Sequence, residues 1–150
     1  MVSVMESGVE GKLYFKNVFG AIRLQLKGAQ VVKSIKIEGN DAERIGGAIC
    51  FNAASRGNVI SAGFNNNRVN VMSGGALFFR TLAEGNKFEG VFRRNYASFG
   101  GAIFFYNKAN NNRLGSDFIS NVVNSSGGAI VFFGATDGNN FTGSFINNSA

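Results

Sequence analysis

The sequence predicts an all-β fold, a parallel β-helix of about five coils with roughly 27 residues in each. Three observations predict it. Two short motifs recur in fixed phase along the chain. Hydrophobic residues inside each repeat alternate with a period of two, which is the period of a strand and not of a helix. Glycine (21 residues) and asparagine (20 residues) are abundant, which favours frequent turns over long helices.

The first motif is Gly-Gly-Ala-Ile/Leu, starting at Gly46, Gly74, Gly100 and Gly127, with spacings of 28, 26 and 27 residues. A worn copy, Gly20-Ala21-Ile22, precedes Gly47-Ala48-Ile49 by 27 residues. The second motif is Phe-x-x-Asn, at Phe64–Asn67, Phe92–Asn95, Phe118–Asn121 and Phe145–Asn148. Ile37–Asn40 is a variant of it. A further asparagine, at Asn58, Asn86, Asn112 and Asn139, stands six residues before each Phe. It stands seven residues after the aromatic found two positions beyond the Ile/Leu of the first motif (Phe51, Phe79, Phe105, Phe132). Length varies only between the Phe-x-x-Asn asparagine and the next Gly-Gly. One turn therefore tolerates insertion. The other segments keep register, as strands must, because a slip of one residue turns every side chain to the opposite face.

Each unit reads as two or three short strands separated by Gly/Asn/Ser turns. Stacking rungs about 4.8 Å apart, five coils would make a rod of roughly 20–25 Å. The Ile/Leu column (Ile49, Leu77, Ile103, Ile130) and the two Phe columns are expected to fill the interior. Gly47, Gly75, Gly101 and Gly128 are expected where backbones approach closely. The asparagine columns, Asn40, Asn67, Asn95, Asn121 and Asn148 with Asn58, Asn86, Asn112 and Asn139, are expected at corners, where Asn adopts left-handed backbone and hydrogen-bonds to its stacked neighbours.

Composition excludes several chemistries. With no histidine, a histidine-based triad, metal site or pH switch has no residue to carry it. One cysteine, Cys50, permits no internal disulfide or multi-cysteine zinc site. No apolar run has the length of a membrane span, and no basic segment followed by an apolar one marks a signal peptide near Met1. The net charge of +6 is uneven, at +8 over residues 1–113 and −2 over the rest. Arg56, Arg68, Arg80, Arg93, Arg94 and Arg113 are scattered, so nucleic acid is not an expected partner. Glu38, Asp41 and Glu43 are the closest acidic set, but Asn65 and Arg93 replace Glu38 in later copies. A paired-carboxylate hydrolase needs two such groups held together. No catalytic residue, metal site or cofactor is expected.

The column between the inward Ile/Leu and Phe is a candidate binding stripe. It comprises Cys50, Phe78, Phe104 and Val131, with Tyr106 and Phe133 two residues further along. Alternation turns these residues outward, where exposed aromatics can stack sugars or receive a partner. Cys50 is expected to pack as a small apolar residue of this column.

Gly-Gly-Ala-Ile/Leu paired with Phe-x-x-Asn resembles the repeat of the polymorphic outer membrane proteins of chlamydiae, and of adhesin-like proteins of methanogenic archaea. The last copy, GGAIVFFGATDGNNFTGSFINNSA, is the most similar to the archaeal form. The likeness covers residues 37–150. It implies a right-handed parallel β-helix displayed at a cell surface and used for adhesion, with a carbohydrate or a surface protein as partner. Residues 1–36 are expected to form a degenerate first coil or an N-terminal cap, with Tyr14-Phe15-Lys16-Asn17 as a shortened copy. The chain stops at Asn148-Ser149-Ala150, where another Gly-Gly-Ala is due. A piece of a longer rod is therefore expected, with open ends that can self-associate. Two other functions compete: a carbohydrate-active β-helix whose catalytic residues lie outside this chain, and a passive spacer.

Overall fold

Strands of two to eight residues follow one another around a coil, and every pairing between them is parallel. The computed structural model describes residues 2–4, 14–16, 22–24, 31–42, 46–51 and 54–150. Glu6, Glu10, Asn17, Gly20, Ala21 and Glu43 lie outside them. The described chain is an all-β solenoid of about four turns at the 27-residue spacing, slightly fewer than the five expected, with no helix among the described residues. No helix there is long and apolar enough to cross a membrane.

Each coil contributes to four sheets, where the sequence suggested two or three strands. In one coil these are Leu77–Phe79, Ala83–Glu84, Lys87–Arg93 and Tyr96–Phe99. The extra breaks come from corners too short to be seen as turns in the sequence. The first sheet has six strands, from Val2–Val4 and Ile22–Leu24 through Ile49–Phe51 to Ile130–Phe132. In it Ile22 pairs with Ile49, so the worn motif keeps register. In the third sheet Phe15 pairs with Ile37 and Ile37 with Phe64, so the degenerate second motif does the same.

Register turns sequence columns into physical ones. Phe51, Phe79, Phe105 and Phe132 stack face over face, with centroids 4.4–4.9 Å apart. Phe64, Phe92, Phe118 and Phe145 form a second stack at 4.6–5.0 Å. Phe88 meets Phe79 edge-on at 82°, and Phe141 touches Phe132 of one stack and Phe145 of the other. Parallel rings offset in this way gain about 0.5–1.5 kcal/mol per pair beyond burial. Phe92→Ala is expected to cost about 3–5 kcal/mol, because the rigid rungs on either side cannot collapse into the void. Urea unfolding followed by circular dichroism checks this.

At the corners the left-handed residue precedes the ladder asparagine. Gly39, Asn66, Arg94, Ser120 and Asn147 have φ of 51–65° before Asn40, Asn67, Asn95, Asn121 and Asn148. The expectation that the ladder asparagines adopt this backbone is therefore corrected. Their place is fixed by their amides. The backbone N–H and Nδ2 of Asn95 both donate to Asn121 Oδ1, at 3.0 and 2.9 Å, and Nδ2 also donates to Phe64 O at 3.0 Å. Asn95 Oδ1 in turn accepts from Asn67 N and Nδ2. Two donors and two lone pairs are all used, which only an Asn-sized amide can do at this position. The column from Asn58 through Asn86 and Asn112 to Asn139 is bonded in the same way.

Candidate functional site: an aromatic groove on the first sheet

Three-residue strands of the first sheet place alternate side chains on opposite faces. Ile49, Leu77 and Ile103 enter the main core. Cys50, Phe78 and Phe104 face away from it and form a separate cluster, with Val131 packed against it. Their outward direction matches the alternation in the sequence. Their exposure does not: Phe78 and Phe104 are only 6% and 4% exposed, and Cys50 is buried. The expected open stripe is instead the floor of a groove of about 810 Å³.

Two walls create the groove. One comes from the turn before each Gly-Gly, where Ser73 bridges Phe99 and Phe99 pairs with Ser126, with Met72 beside them. The amides of Ser98 and Phe99 both donate to Met72 O, which bends this turn up beside the sheet. The other wall is the column two residues beyond the floor: Arg80, Tyr106 and Phe133. Tyr106 and Phe133 are exposed, with parallel rings 5.5 Å apart. Phe104 lies 6.2 Å from Phe133 and 6.4 Å from Tyr106, so floor and wall rings touch.

The structure thus brings together five of the six expected stripe residues, Phe78, Phe104, Tyr106, Val131 and Phe133, leaves Cys50 outside the lining, and adds five that the sequence reading missed. Of these, Arg80 was legible, because it shares the phase of Tyr106 and Phe133. Ser73, Phe99 and Ser126 also share a phase, immediately before Gly-Gly. Their differing chemistry hid the column.

Stacking restricts what the stripe can do. Parallel rings 5.5–5.6 Å apart must overlap in part, so Phe78 and Phe104, and Tyr106 and Phe133, each cover some of the partner's face. Arg80 is the one charged residue of the lining, and among the described residues no acid lines the groove.

The acids are engaged elsewhere. Glu84 pairs with Arg56 at 3.1 Å and Glu89 with Lys87 at 2.5 Å, all of them solvent-accessible. Asp41 accepts from Asn70 Nδ2 at 2.8 Å. Exposed pairs of this kind contribute about 0–1 kcal/mol each. No family model matches the chain, and no curated protein or solved structure matches it either.

Proposed function

We propose that this chain is a non-catalytic binding solenoid, adhesin-like in role, that receives its partner along the groove of the first sheet. The observation that supports the reading is the groove itself: an apolar channel of about 810 Å³ with an aromatic floor, in the size range of ligand sites. A passive spacer has no use for it, because outward aromatics on a rod carry an aggregation risk that polar residues avoid. On this reading the stacked coils are the scaffold and the groove is the working surface. The repeat motifs keep the chlamydial and archaeal likeness as the guide to a cell-surface setting, with a glycan or a surface protein as the partner that carries the group the groove receives.

A panel of polysaccharides and surface proteins, scored for both retention and released product, tests it. Retention without product is expected, and Phe133→Ser is expected to reduce it at least severalfold while leaving the circular dichroism spectrum unchanged. Phe104→Ser is expected to abolish it, with the exposed Phe133→Ser covering the case in which loss of a buried ring harms folding. Retention that both variants keep in full would remove the groove from the function. Released sugar would establish an enzyme instead.

A further inference from the structure

The groove has a chemical direction. Arg80 stands on the wall at the rung of Leu77–Phe79, and the lining continues through the rung of Phe104 and Tyr106 to Val131 and Phe133. At about 4.8 Å per rung the three rungs span roughly 10 Å of axis. One end therefore presents a guanidinium, and the other presents Val131 and Phe133 with Ser126 as the only polar side chain. Among the described residues no carboxylate pairs with Arg80, and Tyr106 holds the matching position on the next rung.

We infer that the groove takes an anionic amphiphile, a medium-chain carboxylate whose head group meets Arg80 and whose chain lies over Phe104 toward Phe133. The inference rests on the groove being the binding surface. Charge complementarity selects the anion, because a bidentate guanidinium–carboxylate contact is available and no acid opposes it. The apolar lining selects the body. A polysaccharide brings many hydroxyls, and Ser73 and Ser126 are the only hydroxyl-bearing side chains besides Tyr106 in the lining to meet them. A peptide meets a harder obstacle. The backbone groups of the first sheet are already paired rung to rung, so the floor offers a peptide main chain no ladder to join.

Isothermal titration of the full chain with decanoate, decanol and oligogalacturonate tests this. Decanoate is expected to bind at one site, about two- to fivefold more tightly than decanol, the range an exposed ion pair supports. Arg80→Gln should bring decanoate down to the decanol level and leave decanol unchanged, whereas Phe133→Ser should weaken both. Decanoate binding that neither substitution alters would overturn the inference. Oligogalacturonate bound with sensitivity to Phe133→Ser, and decanoate not bound, would also overturn it while leaving the groove reading intact. No groove-dependent binding by any probe, together with partner retention insensitive to Phe133→Ser, would bring down both.

Discussion

Asn95→Ala is expected to cost more than about 3 kcal/mol, although it removes no core hydrocarbon. Asn95 is fully buried at the middle of its column. Truncation strips Asn67 N and Nδ2 of their acceptor and Phe64 O of its side-chain donor. Three buried polar groups each lose a hydrogen bond worth about 0.5–1.5 kcal/mol, and the void left by the amide adds to the loss. Asn121 Oδ1 keeps the Asn95 backbone amide and loses only one of its two bonds. Asn70→Ala is the control. Asn70 also bonds side chains, Asp41 and Arg68, but it is exposed, and water replaces what is lost. Its effect should stay within about 0.5 kcal/mol. Denaturant unfolding of the two variants decides the matter. A loss below about 1 kcal/mol for Asn95→Ala would show the ladder to be decoration on an apolar core.

Gly75→Ala is expected to be worse still, at more than about 4 kcal/mol or outright failure to fold. The backbone at Gly75 lies outside the left-handed region, so conformational freedom is not the issue. Space is. A Cβ there would overlap Gly101 O of the next rung and stand 2.9 Å from both Tyr96 N and Tyr96 O. These are backbone atoms held by the ladders, and they cannot swing aside. Gly85 is the converse case. Its φ is +62°, but nothing lies within 4 Å of an added Cβ. Gly85→Ala should therefore cost only the left-handed penalty, about 1–2 kcal/mol. Thermal unfolding of the pair separates sterics from backbone strain. Equal losses would contradict the close approach at the second glycine of each motif.

The fold was legible because a solenoid repeats its constraints. Each column needs one residue type, so Phe64, Phe92, Phe118 and Phe145 appear in the sequence at the interval at which they stack in space. Even the degenerate Ile37 announced its rung through phase alone. The direction of Phe78 and Phe104 was equally legible, since alternation settles it. Their burial was not. The wall that covers them belongs to the turn between the Phe-x-x-Asn asparagine and Gly-Gly, which is five, six, four and five residues long in successive coils. Where length varies, phase is lost, and the register irregularity between Ala97 and Phe99 falls in that turn. The left-handed corner residues were hidden for a related reason. Gly39, Asn66, Arg94, Ser120 and Asn147 share a backbone conformation but no side-chain chemistry, so no motif marks them.

Each asparagine-to-asparagine bond of both columns runs from the amide nitrogen of one coil to the Oδ1 of the next. The amide dipoles therefore add along the axis instead of cancelling. Each column is a vector: the first amide of the Asn58 column keeps a buried Oδ1 that accepts nothing from the described residues, and the last amides, Asn139 and Asn148, donate back to Thr136, Ala109 and Phe118. A coil within either column must run in the same sense as its neighbours, so that its Oδ1 meets the amide hydrogens of the coil before it.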